Sequence, residues 1–266
     1  DRFDLRKEIE FETAVTAANF DEAAGRWRVE TDKGEKVSAR FFIMATGCIS
    51  TAQIPDIAGL SSYQGNTYHT GKWPHEKVDF TGQRIAVIGT GSSGIQAIPV
   101  LAEEAAHLTV FQRTANYSLP AQNMTMTLEY EGEWKDDYRA RRMEMRNTPQ
   151  GSLKDLNDEP ALAVSEDRRR EVYTERWATG GATLLGAFNN LLIDQESNDT
   201  AAAFVRQQIR KTVKDPATAE LLCPKDHPIG TKRICIDSGY YQTFNRDNVE
   251  LVDIKKSPIE RITATG

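Results

Sequence analysis

The chain has 266 residues, of which 39% are hydrophobic and 27% charged, and its net charge is −6. This balance is typical of a globular protein of one large or two medium-sized domains, and it excludes the basic footprint of a nucleic-acid-binding protein. No apolar run approaches the ~20 residues that a membrane-spanning helix needs, so no membrane partner is expected.

The three cysteines, Cys48, Cys223 and Cys235, are widely spaced. This spacing fits neither a disulfide framework nor a zinc site, and no other metal site is expected. With no recognisable signal peptide, the cytoplasm is the expected location. The chain opens at Asp1 without an initiator methionine and leads almost directly into strand-like sequence. We therefore expect it to be a segment of a longer protein.

The first part of the chain predicts a three-stranded meander over residues 10–20, 27–31 and 37–44. Turn sequences at 21–25 and 32–34 separate these strands. The third strand ends in the apolar run Phe41-Phe42-Ile43-Met44, which we expect to be buried. The small residues Ala45-Thr46-Gly47 follow this strand directly.

A proline- and glycine-punctuated linker over residues 54–60 leads to a spaced group of aromatic, glycine and histidine residues. The group has the spacing Y-x-G-x-x-x-H-x-x-x-W-P and comprises Tyr63, Gly65, His69, Trp73 and Pro74. On residue types alone, a structural explanation is preferred, with His69 and Trp73 packed together in the core.

The glycine-rich stretch at 89–94 lies between an apolar strand at 85–88 and a predicted helix at 95–102. Its sequence is Gly89-Thr90-Gly91-Ser92-Ser93-Gly94, which fits G-x-G-x-x-G in the strand–turn–helix context that this motif requires. The first glycine permits the tight turn, the second lets the backbone approach a pyrophosphate, and the third lets the helix pack closely. The helix N-terminus then attracts the phosphates. The motif predicts a dinucleotide site, and the alternative is a purely structural turn.

The next predicted strand, residues 107–111, ends in Gln112-Arg113-Thr114. An NAD or FAD site usually has an acidic residue here for the ribose 2′-hydroxyl. Arg113 instead suits a 2′-phosphate, because its planar guanidinium binds phosphate bidentately. The sequence therefore favours NADP(H) over NAD(H), the alternative being a solvated surface arginine.

Residues 120–228 are helical in character. Helices are predicted over 127–147, 165–177, 184–193 and 199–213, with Gly180-Gly181 as a break, and over 217–222 after an Asp215 cap with Pro216 at the first position. Strands at 233–236, 249–254 and 258–263 are expected to complete the sheet. The predicted fold is α/β, with a β-meander segment (1–53), a Rossmann-like NADP-binding domain (54–119 and 229–266) and a helical insertion (120–228). The end of the meander, Ala45-Thr46-Gly47, resembles a motif of two-dinucleotide flavoproteins. This resemblance implies that residues 1–53 are a segment of a FAD-binding domain.

The group Tyr63–Pro74 also resembles F-x-G-x-x-x-H-x-x-x-W-[PD], the fingerprint of the Baeyer–Villiger monooxygenases. Tyr63 stands where phenylalanine is usual, a mild departure that keeps the ring. The resemblance continues through 89–94, 111–114, 230–233 and 240–249. It covers essentially the whole chain, which looks like the middle of a Baeyer–Villiger monooxygenase. Within the family, the resemblance is nearest to the phenylacetone and cyclododecanone monooxygenases.

The resemblance implies an enzyme that uses FAD, NADPH and O2 to insert one oxygen beside a ketone carbonyl, giving an ester or lactone. In this family NADPH reduces the flavin, oxygen adds at its C4a atom, and the peroxyflavin attacks the ketone. The chain contains no second G-x-G-x-x-G for FAD. The resemblance places that motif before Asp1, so the remaining FAD-domain sequence is expected to be needed for activity.

The resemblance also implies roles for individual residues. Arg233 corresponds to a catalytic arginine over the flavin, and His69 and Trp73 lie at the domain junction. The remaining implied contacts are to cofactors. Those to NADP come from residues 89–94, Arg113, Thr114 and Lys232, and those to the flavin nucleotide from Ala45, Thr46 and Gly47.

Two other functions stay open. A flavin monooxygenase that oxidises nitrogen or sulfur has a different fingerprint at its end, so Trp73 and Pro74 argue against it. The second alternative is a nucleotide-binding module without oxygenase activity of its own. Its full reading frame would lack the N-terminal G-x-G-x-x-G motif for FAD.

Overall fold

The computed structural model describes residues 2–47, 51–148, 151, 153 and 156–266. The chain forms two compact units, Asp1–Gln53 and Ile54–Gly266, and each is described by itself. Antiparallel strands make up the first, and parallel strands with helices make up the second. The predicted α/β fold class is therefore confirmed.

The first unit is a meander of three antiparallel strands in the order β1-β2-β3, as predicted. The strands are β1 (Val15–Asp21), β2 (Arg26–Thr31) and β3 (Lys36–Ala39), and a 3-10 turn at Leu5–Glu8 precedes them. Trp27 packs between Phe20 and Phe42, with ring centroids 5.4 Å apart in each pair. These aromatic contacts hold one face of the small sheet together.

Two strand bounds predicted for this unit are wrong, and so is the predicted burial of one apolar run. The first strand begins at Val15 rather than residue 10, and the third ends at Ala39 rather than residue 44. Ala39 pairs with Trp27, next to the first residue of β2, so the chain beyond it has almost no partner strand left. In the run predicted to be buried, Phe41, Ile43 and Met44 are exposed, with Ile43 84% accessible, and Phe42 is half-buried.

The second unit contains a parallel sheet with the order β4-β5-β8 and a separate parallel pair, β6-β7. Its strands are β4 (Arg84–Ile88), β5 (His107–Gln112), β6 (Ser118–Pro120), β7 (Cys235–Asp237) and β8 (Val249–Asp253). Helix α1 (Ser92–Glu104) connects β4 to β5 and buries one apolar face. This βαβ unit brings the carboxyl ends of β4, β5 and β8 to one edge, where ligands bind in such folds.

The sheet differs from the prediction at its later strands. Of the three predicted strands, only 249–254 joins the main sheet, as β8. The second, near 233–236, pairs instead with β6, a strand that the sequence did not predict. The third, 258–263, is not a strand, although Ile262 donates its N–H to the carbonyl of Ala58.

Most of the other helices follow the predicted positions, but two predicted helices differ from the structure and the last and shortest helix was not predicted. These other helices are α2 (Leu128–Asp136), α3 (Tyr138–Arg146), α4 (Glu166–Thr179), α5 (Gln195–Thr212), α6 (Pro216–Leu222) and α7 (Tyr240–Thr243). The helix predicted over 127–147 breaks at Asp137. The helix predicted over 184–193 is only a 3-10 turn at Thr183–Gly186. There the backbone N–H of Asn189 donates to the carbonyl of Glu159 at 3.1 Å instead of to a carbonyl one turn earlier. The side chains of Asn189 and Asn190 add bonds to the backbone at Asp158 and Ala161.

One continuous core joins the βαβ unit to the helices. It includes Ile98 of α1, Leu108 of β5, Tyr173 of α4 and Val205 of α5. Side-chain caps begin α4 and α6, at Ser165 and at the predicted Asp215. Across the described helices, none combines the length and apolar character that crossing a membrane requires.

Candidate dinucleotide-binding site

The loop between β4 and α1 has the geometry that its glycines predict. Gly89 has a φ of +105°, a conformation that side chains disfavour, and its N–H donates to the carbonyl of Phe111 at 3.0 Å. A Cβ atom at Gly94 would overlap the carbonyl oxygen of Gly89. Both residues must therefore be glycine if the loop is to fold tightly against the start of the helix.

The start of α1 is open to an external anion. Gly91 is the N-cap and supplies no side-chain cap, and a Cβ built on it would meet nothing within 4 Å. The first intrahelical bond is from the N–H of Ile95 to the carbonyl of Gly91. The N–H groups of Ser92, Ser93 and Gly94 thus have no partner inside the helix, and the positive end of its dipole adds to their attraction. This is the arrangement that binds phosphate.

Thr90 connects this loop to the next one. Its side chain is buried, and its hydroxyl donates to the carbonyl of Thr114 at 3.1 Å. The proton of this hydroxyl is therefore used within the protein, so Thr90 holds two loops together at the carboxyl edge of the sheet. Any contact of Thr90 or Thr114 with a cofactor stays a prediction.

Three basic side chains that the sequence predicted for the site, Arg113, Lys232 and Arg233, are exposed. None of them makes a hydrogen bond or ion pair within the described part of the chain. Arg113 follows β5 directly, and the other two precede β7. All three are free to meet an external anion, whereas their assignment to the 2′-phosphate or the flavin is not tested by the fold.

The segments that carry Arg113 and Lys232 are fastened to the same aromatic residue. The rings of Tyr117 and His227 meet edge to face with centroids 5.4 Å apart. Arg206 donates to the Tyr117 hydroxyl at 3.1 Å and to the carbonyl of Pro224 at 3.3 Å. This network fixes the 224–232 segment beside the chain that follows β5.

His227 is a feature that the sequence did not reveal. Both of its ring nitrogens are buried, and neither has a partner within the described ranges. Burial and the nearby Lys232 lower the pKa of the imidazole, while Asp226 opposes them. Asp226 is itself paired with Lys255. No local spacing signal marks this histidine, because its surroundings come from distant parts of the chain.

We expect His227 to make stability fall as the solution becomes acidic. Because the folded pKa lies below the unfolded one, the unfolded chain binds its proton first as the pH falls through about 6.5. The free energy of unfolding should therefore decrease between pH 7.5 and 5.5. Chemical denaturation of a His227→Phe variant, which keeps a ring against Tyr117, should show a smaller decrease. The exposed His75→Phe is the control, and an unchanged pH dependence in His227→Phe would contradict the expectation.

The fingerprint residues form a capped turn beside an aromatic cluster. His69 accepts the N–H of Gly71 through Nδ1 at 3.0 Å and so caps the 3-10 turn Thr70–Lys72. Trp73 is 44% exposed and packs on Tyr68 and Phe80. The interpretation of His69 and Trp73 as a buried core pair is therefore wrong.

Two further fingerprint positions and the A-T-G stretch complete the predicted set. A Cβ at Gly65 would overlap the ring of Tyr63, so a larger residue there requires this ring to move, and Pro74 is half-buried. Ala45, Thr46 and Gly47 are exposed in the first unit. Their contact with a flavin nucleotide stays a prediction, and Cys48 lies outside the described residues.

Gly91 and Gly94 form a matched pair for mutation. Gly94→Ala should cost about 1–3 kcal/mol of unfolding free energy, because the new methyl group meets backbone that cannot move freely. Gly91→Ala should cost less than about 1 kcal/mol, since its methyl group enters open space and only the N-cap preference for glycine over alanine is lost. It should nevertheless weaken dinucleotide binding by occupying the phosphate approach. Chemical denaturation and NADPH titration measure the two effects. Equal stability of the two variants would contradict the loop geometry.

Comparison with known proteins places this geometry among flavin monooxygenases. The chain is 41% identical over 268 residues to cyclohexanone 1,2-monooxygenase of an Acinetobacter species, matching 100% of this chain and 49% of the relative. It is 38% identical over 268 residues to a Baeyer–Villiger monooxygenase of Pseudooceanicola batsensis, with the same coverage. The chain thus spans about half the length of these relatives.

Solved structures agree with the sequence relatives. Oxidized steroid monooxygenase bound to NADP has a TM-score of 0.95 and 53% identity, with 100% of this chain and 51% of that chain covered. The complex of OTEMO with FAD and NADP has a TM-score of 0.94 and 41% identity, covering 98% of this chain and 50% of that chain. The resemblance to Baeyer–Villiger monooxygenases is therefore confirmed.

The profile of one protein family matches most of the chain. It is described as pyridine nucleotide-disulphide oxidoreductase, and it matches residues 2–202. This range includes the glycine-rich loop, the fingerprint residues and Arg113. The chain belongs to the pyridine nucleotide-disulphide oxidoreductase family.

Proposed function

We propose that the full-length protein is an FAD- and NADPH-dependent Baeyer–Villiger monooxygenase that converts a small ketone and O2 to an ester or lactone. The observation that carries this proposal is the similarity of the whole chain to Baeyer–Villiger monooxygenases, with an open phosphate-binding loop at the expected place. A reducing, cytoplasmic location is part of the proposal and is supported by the free thiols of Cys223 and Cys235.

The residues present fit NADP(H). The unpaired N–H groups at the start of α1 suit the pyrophosphate, and the space beside Gly91 lets it approach. Arg113 and Lys232 supply two cations for one 2′-phosphate dianion, a task for which the arginine fork is well shaped. In this proposal Thr90 and Thr114 keep the two loops at a fixed separation.

The chain contributes fewer residues to a FAD site than to the NADP site. Ala45, Thr46 and Gly47 are small and exposed, so the flavin nucleotide can approach their backbone, and Gly47 has a φ of +71°. When bound, NADPH supplies a hydride and the flavin supplies oxygen activation, while the protein orients them. Arg233 contributes a permanent positive charge for negative charge that develops during oxygen transfer. His69 fixes its turn and Trp73 presents an exposed ring, which suits a role at a domain junction that moves.

The test is ketone-dependent NADPH consumption by the full-length protein loaded with FAD. Cyclohexanone serves as the probe, and gas chromatography measures the lactone. We expect NADPH consumption and lactone formation to rise together with ketone concentration. NADPH consumption without any ester or lactone from cyclic and open-chain ketones would overturn the proposal. Oxidation confined to an amine or thioether probe would support the nitrogen- or sulfur-oxidising class instead.

A further inference from the structure

A thiol lies directly behind the phosphate-binding loop. Cys235 is only 1% exposed, and its Sγ is 3.3 Å from the hydroxyl oxygen of Ser92. Asn116 donates its side-chain N–H to the same sulfur at 3.1 Å. The sulfur, on the first residue of β7, therefore connects the first residue of α1 with the chain after β5. Ser92 and Asn116 precede Cys235 by 143 and 119 residues in the sequence.

The direction of these bonds determines what Ser92 can do. Either partner can be the donor in the contact between Ser92 Oγ and Cys235 Sγ. With Asn116 donating to the sulfur, the thiol hydrogen can be directed at the Ser92 oxygen. The Ser92 hydroxyl hydrogen then stays free to point toward the exposed side of the helix N-terminus. Burial raises the pKa of the Cys235 thiol, which keeps this hydrogen in place at neutral pH.

The backbone of Asn116 is held by its surroundings. Its backbone carbonyl lies 3.5 Å from the Tyr241 hydroxyl, which in turn accepts the N–H of Ser118 at 3.2 Å. The side-chain Oδ1 is buried and lacks a partner among the residues described, so the contact with sulfur is what this side chain provides.

We propose that Cys235 is a positioning residue of the dinucleotide site, which holds the Ser92 hydroxyl so that it donates to the pyrophosphate. This inference rests on the proposed binding of NADP(H) at the loop. Since the pyrophosphate is common to both nicotinamide cofactors, Cys235 should affect NADPH and NADH equally. The equal effect on the two cofactors distinguishes the role of Cys235 from that of Arg113, because the 2′-phosphate that Arg113 is predicted to bind exists only on NADPH.

The experiment measures NADPH and NADH binding by the full-length, FAD-loaded protein, four variants of the Ser92–Cys235 pair and one control variant. Cys235→Ala and Ser92→Ala should each weaken the binding of both cofactors by about three- to tenfold, the range expected for one net hydrogen bond. Their double variant should lose no more than either single variant, because both remove the same bond. Cys235→Ser should restore most of the affinity, since a hydroxyl also accepts from Asn116 and donates to Ser92.

The control is Cys223→Ala, a second buried thiol that contacts the carbonyl of Arg206 and should leave both affinities unchanged. A merely structural role for Cys235 would lower thermal stability without coupling to Ser92. Parent-like affinity in Cys235→Ala, multiplied losses in the double variant or no rescue by serine would each overturn the inference and leave the proposed function standing. Absence of NADPH binding in the parent would overturn both.

Discussion

Replacing Arg233 by alanine in the full-length protein is expected to lower ketone oxygenation by about 100- to 1,000-fold, the cost of removing one preorganised donor from developing negative charge. The guanidinium is exposed and forms no ion pair within the described residues, so its charge is not used by the fold. An arginine that stabilised the structure would be paired or buried. The substitution should therefore leave NADPH affinity within a few-fold of the parent value.

The measurement combines NADPH titration with the yield of lactone from cyclohexanone. Arg233→Lys should retain part of the activity, because a lysine keeps the charge and loses the planar fork. The exposed Arg261→Ala is the matched control and should behave as the parent. A parent-like lactone yield from Arg233→Ala would remove this residue from the oxygenation step. A loss of NADPH binding in parallel with activity would place it in the nucleotide pocket instead.

The parts of the structure that the sequence predicted are those that depend on neighbouring residues. The turn at Gly89 and the helix that starts at Ser92 follow from local strand, glycine and helix signals. The Asp215 cap with Pro216 is equally local. Backbone conformation at such positions is decided within a few residues, so pattern and position suffice.

The parts that the sequence missed depend on distant partners. Strand β6 is three residues long and ends in Pro120, and only its pairing with β7 more than a hundred residues away defines it. The run 41–44 is apolar, yet apolar residues are buried only where a further layer covers them. His227 and Cys235 acquire their surroundings from segments that meet only in the fold. The phosphate-binding loop was therefore predictable, whereas the side chains behind it were not.

Arg113 is the residue for which cofactor choice gives the sharpest test. It follows the last residue of β5, at the sheet edge where the ribose of a bound dinucleotide lies, and it forms no ion pair within the described ranges. Arg113→Ala should weaken NADPH binding by about 1.5–3 kcal/mol, as expected for the loss of a charged hydrogen bond, and leave NADH binding nearly unchanged. This corresponds to about 10- to 150-fold in the dissociation constant.

The ratio of the NADPH and NADH affinities is the quantity to measure. A folding defect weakens the binding of both cofactors, so its effect cancels in the ratio. Lys232→Ala should shift the ratio in the same direction, and raised salt should reduce the effect of either substitution, since screening weakens exposed charges. Arg139→Ala, an exposed arginine on α3, should leave the ratio unchanged. Equal losses of NADPH and NADH in Arg113→Ala would show that this arginine does not bind the 2′-phosphate. The preference for NADPH would then have to come from Lys232 or from residues outside this chain.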